Sequence, residues 1–392
     1  MKIGVDATCW GNNRGFGRFT RELLGALLEI DKVNEYIFFI DGYTDKDDSI
    51  PSQARTVVAN TSVSAIEAAS ANGRRSLINL WAMTHQVLKH KVDVFFFPTV
   101  YSYFPILNRT KIVVTIHDVI ADHHPKLIFP NTRAKIFWKL KQNVAIWQAD
   151  LIATVSQYSK QQIREYFGLP DSRLRLITEA AHPIFKVLPS NNGAGNALLR
   201  QGLELQTDFL LYVGGISPHK NLSTLIDAFS RIASKPRFGN LKLVLTGDYK
   251  NDPFFSAYPE LNKQVRIFGL EDRIIFTGFV PDEDLAYLYN QAKLLVFPSF
   301  EEGFGLPAIE AMACGTPVAA SNCGSLPEVL GNAGCFFDPH NPASMEAVIE
   351  EILSDDTRQD EMKVKGLKRS KQFVWKQSAE DALAIFMELR NK

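Results

Sequence analysis

Pro298-Ser299-Phe300-Glu301-Glu302-Gly303-Phe304-Gly305-Leu306-Pro307-Ala308-Ile309-Glu310-Ala311-Met312-Ala313-Cys314-Gly315-Thr316-Pro317-Val318 reads as the end of one strand, a loop, a helix and the start of the next strand. An apolar run ends at Pro298. Pro307 falls in the first turn of a helix opening near Leu306, where a proline is tolerated. Gly315 ends that helix. Seven residues separate Glu302 from Glu310. One lies in the loop and the other in the helix's second turn, so both carboxylates can face the end of the sheet. Apolar Leu306, Ile309 and Met312 surround Glu310, which argues against a merely solvated residue. Carboxylates accept hydrogen bonds from sugar hydroxyls. The amides of Gly303, Phe304, Gly305 and Leu306 can meet a diphosphate at a helix N-terminus.

The same alternation runs outward in both directions. Apolar runs of buried, parallel-strand type fall at 3–8, 36–40, 92–97, 111–117, 151–155 and 175–178 in the first half. In the second half they fall at 209–213, 241–246, 274–277, 294–298, 317–320 and 334–337. Helical stretches such as 17–30 and 221–233 lie between. At 392 residues the chain is long enough for two domains. The fold class is α/β, with two doubly wound units. The linker is placed at Pro189-Ser190-Asn191-Asn192-Gly193-Ala194-Gly195-Asn196, which is rich in turn formers. Ligands of such sheets sit at the carboxyl ends of the strands, so the residues just after each strand carry the search.

Composition narrows the classes. Lys and Arg number 43, as do Asp and Glu, and 46% of residues are hydrophobic. A nucleic-acid-tracking surface would usually carry net positive charge. Charge is uneven, however: residues 1–190 hold 23 basic and 17 acidic residues, and 51–147 hold 12 against four. That asymmetry suggests an anionic partner for the first half. Cys9, Cys314, Cys323 and Cys335 are too scattered for a disulfide framework, and no Cys-x-x-Cys pair exists. A strand pattern begins at Lys2, leaving no room for a secretory leader. The apolar stretch 94–107 is shorter than the ~20 residues of a spanning helix and holds Pro98 and Pro105. The expected location is the cytoplasm, with peripheral contact at the inner membrane face left open.

Three further strand ends carry candidate chemistry. Gly11-Asn12-Asn13-Arg14-Gly15-Phe16-Gly17-Arg18-Phe19 follows the first strand, and its glycines allow unusual dihedrals and close approach of a ligand. A dinucleotide fingerprint would need a third glycine where Thr20 stands, so a nicotinamide cofactor fits poorly. Thr115-Ile116-His117-Asp118 ends another strand. A His-Asp pair there can bind hydroxyls, orient a group or exchange protons, or simply cap the strand. Asp122-His123-His124 follow, but consecutive residues do not converge on a metal from a regular element. Gly214-Gly215-Ile216-Ser217-Pro218-His219-Lys220-Asn221 follows the first strand of the second half. Strand, glycine turn, lysine and helix suit a phosphate. Asp45-Lys46-Asp47 matches a metal-binding Asp-x-Asp but reads as a solvated loop.

Acceptor contacts are harder to find. Tyr101-Ser102-Tyr103-Phe104-Pro105 can form an aromatic wall for a sugar, or a packed loop. The basic, aromatic helix from Arg133 through Phe137, Trp138 and Lys141 to Trp147 suits anionic lipid. The plainer expectation is that its single apolar side packs on the sheet.

The Glu-x7-Glu block, Gly315-Thr316-Pro317-Val318, Gly324-Ser325-Leu326-Pro327-Glu328, the Gly-Gly-x-x-Pro-x-Lys-Asn loop, Gly278-Phe279-Val280 before Asp284-Leu285, Gly15-Phe16-Gly17-Arg18 and His117-Asp118 together resemble retaining glycosyltransferases of family 4. The likeness covers nearly the whole chain. It implies the GT-B fold: two Rossmann-like domains, 1–190 on the acceptor side and 191–372 holding the nucleotide-diphosphate sugar, facing a cleft. A terminal helix in 373–392 would return to the first domain. By motif match Glu302 would bind the donor sugar and Glu310 the ribose. Gly303, Phe304, Gly305 and Leu306 would lie by the sugar and diphosphate, Lys220 would neutralise the diphosphate, and Val280 would line the base pocket. Gly15 and Gly17 would approach the diphosphate, and His117 the reacting carbon. Tyr101, Tyr103 and Asp118 are the acceptor-side candidates.

Many members carry Arg where Gly215 stands, so another cation must complete the charge balance. Arg14, Arg18 and His219 are the candidates. The implied reaction is retaining and same-face, with no metal and no cofactor beyond a GDP- or UDP-linked sugar. Mannose is favoured because the Gly-Gly loop resembles mannosyltransferases of surface polysaccharide assembly. The acceptor would be a glycan or lipid-linked glycan. A UDP-glucose or UDP-N-acetylglucosamine transferase and a non-catalytic nucleotide-sugar binder are the alternatives. The latter would be expected to lose Glu302, Glu310 or His117, and all three are present.

Overall fold

Short segments that are apolar on both faces become strands covered on both sides. In β4 (Val94–Phe97) and β11 (Leu294–Phe297) all four residues are buried. The structure is a computed structural model that describes residues 1–12, 14–47, 49–62, 77–129, 131–189, 207–249 and 256–391. The chain divides into two compact units, Met1–Glu179 with Val374–Lys392, and Ala180–Phe373.

The first unit's sheet has seven strands. They are β1 (Lys2–Asp6), β2 (Glu35–Asp41), β3 (Arg55–Ala59), β4, β5 (Lys111–Thr115), β6 (Leu151–Thr154) and β7 (Leu174–Leu176). Their order is β3-β2-β1-β4-β5-β6-β7, and every described pairing is parallel. Among the described residues up to Glu179 the helices of eight residues or more are α1 (Gly15–Ile30), α2 (Leu77–Lys89), α3 (Thr132–Gln148) and α4 (Gln157–Phe167). The second unit's sheet has six strands: β8 (Phe209–Val213), β9 (Lys242–Thr246), β10 (Ile274–Gly278), β11, β12 (Val318–Ser321) and β13 (Gly334–Phe337). Their order is β10-β9-β8-β11-β12-β13, again parallel. Among the described residues its helices of eight residues or more are α5 (Leu222–Ala233), α6 (Tyr258–Ile267), α7 (Asp282–Gln291), α8 (Leu306–Ala313), α9 (Pro342–Leu353) and α10 (Asp356–Ser370).

The last helix, α11 (Trp375–Arg390), packs on α1, β4 and β5 of the first unit. Phe386 sets its ring 5.3 Å from Phe96, and Arg175 holds Glu388 through two hydrogen bonds of 2.9 and 2.7 Å. Ser378 Oγ donates to the Thr178 carbonyl at 2.7 Å. Among the described residues no helix is long and apolar enough to cross a membrane.

Several details differ from the sequence reading. The units divide after Glu179, ahead of the Pro189–Asn196 segment, whose residues from Ser190 on lie outside the described part. The stretch before it is already fastened to the second unit: the Leu188 amide donates to Asn290 Oδ1 at 2.8 Å, and Asn290 Nδ2 donates to the Lys186 carbonyl. Strand β3 went unread because it is an edge strand with only two buried residues and no continuous apolar run. Helix α1 opens at Gly15, two residues ahead of the start read at Gly17, so both glycines lie in its first turn.

Candidate active site

In the second unit the strand order reverses between β8 and β11. Connections leave these neighbouring strands in opposite directions, which opens a crevice at their carboxyl ends. The β8 loop carries Gly214, Gly215 and Lys220, and the β11 loop carries Glu301 and Glu302. Gly214 has φ +153°. A Cβ on Gly247 would stand 1.9 Å from the Gly214 carbonyl oxygen, so the two backbones meet where only glycine fits. The Tyr212 hydroxyl donates to the Gly215 carbonyl at 2.8 Å and fixes the turn.

Asn221 laces the two loops together. It adopts φ +59° at the start of α5 and donates from Nδ2 to the carbonyls of Pro298 and Pro339 at 3.0 and 2.7 Å. The Phe300 amide donates to the His219 carbonyl at 3.0 Å. This brings Lys220 Nζ within 2.6 Å of Glu302 Oε1, with side chains only 17% and 10% exposed. An ammonium and a carboxylate so placed offer one donor cluster and one acceptor, each held by the other.

Helix α8 starts behind Gly305, whose φ of +101° places it in the left-handed region. The turn at Gly324 and Ser325 clamps the preceding loop. Ser325 donates from its amide to the Glu302 carbonyl at 3.2 Å and from Oγ to the carbonyls of Glu302 and Phe304 at 3.0 and 2.8 Å. A Cβ on Gly324 would stand 2.7 Å from the Glu302 nitrogen, so the clamp closes only around glycine. Phe304 and Leu306 are buried, and Phe304 packs on Phe373 at 5.5 Å. What they offer a ligand is backbone. Glu310 is 2% exposed, and its Oε2 accepts from the Tyr289 hydroxyl at 2.9 Å. Burial, and then the charge of Glu310, push the Cys314 thiol up to about 12. Val280 is buried two residues beyond β10.

In the first unit β5 stops at Thr115, and His117 lies beyond its end. Its Nδ1 is 3.3 Å from Glu179 Oε1, its Nε2 3.0 Å from the Pro98 carbonyl, and its ring stands edge-on to Phe19 at 4.8 Å. Asp118 Oδ1 accepts from the Ile120 amide. Tyr101 is half-buried, stacked on Phe16 at 5.2 Å and tilted against Trp138 at 5.0 Å. Burial, with the charge of Asp118, raises its phenol well above the ordinary range.

Two of the candidate positions show more detail. Tyr103 is buried at 3% exposure; its ring packs on Phe97 and its hydroxyl donates to Gln148. Gly15 and Gly17 do not supply unusual dihedrals, since neither has positive φ. Gly17 serves close packing: a Cβ there would fall 2.0 Å from the Asn12 carbonyl oxygen, whereas a Cβ on Gly15 would meet nothing within 4 Å.

The remaining polar candidates are engaged elsewhere. Asp47 accepts from the amide and hydroxyl of Ser49, and Asp122 from Trp138 Nε1 at 3.3 Å. Among the described residues no three His, Cys, Asp or Glu side chains gather as a metal site. Glu179, Tyr289 and the clamping role of Ser325 were not anticipated. Glu179 stands just past β7, where the strand-end rule would have found it. Tyr289 gave no signal, because an aromatic in an amphipathic helix reads as core.

Comparison with known proteins places the chain among relatives. The family model described as Glycosyltransferase Family 4 matches residues 14–180, and the model described as Glycosyl transferases group 1 matches residues 199–369. O-antigen chain mannosyltransferase B of Escherichia coli is 34% identical over 267 residues, 67% of this chain and 66% of that protein. Serotype-specific mannosyltransferase WbdA of Escherichia coli is 34% identical over 286 residues, 71% of this chain but 34% of its own length. Among solved structures, sucrose-phosphate synthase from Thermosynechococcus elongatus superposes with a TM-score of 0.77 at 21% identity, over 99% of both chains. Anabaena HepE in complex with UDP and glucose superposes with a TM-score of 0.73 at 19% identity, over 99% of this chain and 100% of that one.

Proposed function

The chain belongs to the family 4 glycosyltransferases of GT-B fold, and on that premise we propose that it transfers a hexose, mannose by preference, from a nucleotide-diphosphate sugar to a glycan or lipid-linked glycan. The observation that carries this reading is the constellation at the second sheet's reversal point. Lys220 and Glu302 are paired at 2.6 Å, α8 begins four residues on, and Glu310 is held in the next turn of that helix. It offers a cation and a helix N-terminus to a diphosphate, and two carboxylates to hydroxyls. Mannose is favoured because the two Escherichia coli relatives are named mannosyltransferases. HepE was solved with UDP and glucose, which supports a UDP-glucose donor as the second reading.

Breaking the anomeric C–O bond builds positive charge on the ring and negative charge on the leaving diphosphate. Lys220 and the α8 N-terminus stabilise the leaving group, an effect that reaches several kcal/mol when donors are fixed in advance. The acceptor hydroxyl oxygen then bonds to the anomeric carbon on the face the diphosphate leaves, and a diphosphate oxygen takes its proton. The configuration is retained and no metal is required. In the first unit, His117 and the Gly15–Gly17 turn serve the reaction, and Tyr101 and Asp118 serve the acceptor. A lipid-linked acceptor would bring the protein to a membrane surface.

The test is a thermal-shift panel of GDP, UDP, ADP and their sugar conjugates on wild type and Glu310→Ala. A ligand at 100 times its dissociation constant adds about 2.7 kcal/mol of stability. A shift with one nucleotide class, reduced in the variant, identifies the donor. No shift with any nucleotide overturns the reading.

A further inference from the structure

Three aromatic rings gather at the carboxyl ends of β9 and β10. Tyr249 lies just beyond β9, Tyr258 opens α6, and Phe276 lies within β10. The Tyr249 and Tyr258 rings are stacked, with centroids 4.1 Å apart and an interplanar angle of 19°. Phe276 stands edge-on to Tyr258 at 5.0 Å and to Tyr249 at 6.0 Å. Stacked and edge-on contacts are favoured aromatic geometries, so the trio holds the Tyr249 ring in one place. The surrounding backbone is fastened too. The Gly247 amide donates to the Gly278 carbonyl at 3.1 Å, and the Ala257 amide donates to the Ile216 carbonyl at 2.7 Å. The second of these bonds ties the start of α6 to the β8 loop that carries Gly214, Gly215 and Lys220.

Beside this ring the backbone is open. Gly278 has φ +75°. Among the described residues, its chain neighbours aside, a Cβ there would meet only Tyr249 Cε1, at 3.9 Å. Phe279, the next residue, is 53% exposed, and Val280 is buried. The half-buried Tyr249 ring therefore borders a slot whose floor is the Gly278 backbone. This slot lies on the side of the reversal point from which α7 departs. Helix α7 carries Tyr289, the donor to Glu310. A nucleoside diphosphate with its diphosphate at Lys220 and its ribose at Glu310 thus sets its base toward the ends of β9 and β10.

We infer that Tyr249 is the wall on which the donor's base stacks, and that it selects a purine. The inference rests on the nucleotide-sugar reading of the same crevice and names the nucleotide class. A fixed phenol ring offers a flat face to any base, and the strength of stacking follows the area of overlap. A two-ring purine covers more of that face than the single ring of uracil. Tyr258 and Phe276 fix the wall before the ligand arrives, so little ordering is left to oppose binding. Position 249 acts on the base, whereas the diphosphate is assigned to Lys220 and the α8 N-terminus.

The experiment is titration calorimetry of the full chain with GDP, ADP and UDP, on wild type, Tyr249→Leu and Tyr249→Phe. Melting temperature serves as the control for folding. Wild type should bind the tighter of the two purine nucleotides at least tenfold more tightly than UDP. Tyr249→Leu keeps apolar bulk and loses the flat face, so that purine-to-uridine ratio should fall about tenfold. Tyr249→Phe keeps the face and should keep the ratio. A loop merely displaced by the leucine would weaken all three ligands alike, and an unchanged ratio in Tyr249→Leu overturns the inference. A ratio that falls as far in Tyr249→Phe assigns the hydroxyl and overturns stacking. Wild type that binds UDP as tightly as the purine nucleotides overturns the selection and leaves the transferase reading standing. Wild type that binds none of the three overturns both.

Discussion

The hydroxyl of Tyr289 donates to Glu310 Oε2 at 2.9 Å, and both side chains are buried. Tyr289 is itself fixed: its ring stands edge-on to Phe185 at 5.6 Å and its carbonyl accepts from Thr316 Oγ1. The carboxylate proposed to bind ribose is therefore aimed by a rigid donor. A hydrogen bond to a charged group contributes about 1.5–3 kcal/mol. Tyr289→Phe keeps the ring packing and removes only that donor. Nucleotide affinity should fall about tenfold by calorimetry. A 2′,3′-dideoxynucleotide should bind wild type and variant alike. Equal loss for both ligands would mean that Tyr289 supports the fold and not ribose recognition.

Lys220 and Glu302 make a second prediction. Removing one partner of a poorly exposed pair leaves the other charge uncompensated. Lys220→Met should lower the melting temperature, and Lys220→Met with Glu302→Gln should recover much of it. Neither variant should recover diphosphate binding. Affinity for a nucleoside diphosphate should drop at least tenfold, while affinity for the monophosphate changes far less, since Lys220 is assigned to the leaving group. Titration calorimetry with both ligands separates the two effects.

Gly15 and Gly17 should behave oppositely despite lying two residues apart. A Cβ at position 17 would overlap the Asn12 carbonyl, and overpacking of this kind costs about 1–3 kcal/mol. A Cβ at position 15 meets nothing within 4 Å, and alanine is the better helix former by about 1 kcal/mol at most. Thermal melts should show Gly17→Ala destabilised and Gly15→Ala neutral or slightly stabilised. If Gly15→Ala nonetheless loses transfer activity, the open space at Gly15 is used by a ligand.

These particulars mark what the sequence can and cannot disclose. Doubly buried strands such as β8 and β11 were legible because an uninterrupted apolar run has few other readings. Edge strand β3 was not, because a half-covered strand gives up that run. The start of α1 was read two residues late because Gly15 is a poor helix former. Tyr101 and Tyr103 flank one serine, and nothing in the tripeptide says which ring stays half-exposed and which is buried in the core. Glu302, Glu310 and Lys220 could be named from strand ends. Their partners Tyr289 and Ser325 come from distant segments, and only the fold brings them together.

Cys314 provides a check on the burial of the Glu310 pocket. Its thiol is pushed up to about 12 by desolvation and by the neighbouring carboxylate. Iodoacetamide at pH 8 should leave Cys314 unmodified in the native protein, as read by peptide mapping, and should modify it after unfolding. The linkage has a definite sign. The folded state holds this proton more tightly than the unfolded one, so the associated stability is present below about pH 9 and is lost as pH rises toward about 12. Cys314→Ala should flatten the alkaline fall in melting temperature over that window.

The His117–Glu179 pair constrains the chemistry of the first unit. Nδ1 faces Glu179 Oε1 at 3.3 Å and Nε2 faces the Pro98 carbonyl at 3.0 Å. Both ring nitrogens are engaged, so the imidazole is held in one orientation. Its assigned contribution is positional. Glu179→Gln keeps an acceptor opposite Nδ1 and removes the carboxylate's charge. Sugar transfer at saturating donor should slow by about tenfold to hundredfold. Nucleotide affinity should hold at the wild-type value, because the nucleotide is assigned to the second unit. An unchanged kcat would make the pair a packing contact, and a loss of nucleotide affinity with kcat preserved would move His117 from the transfer step to donor binding.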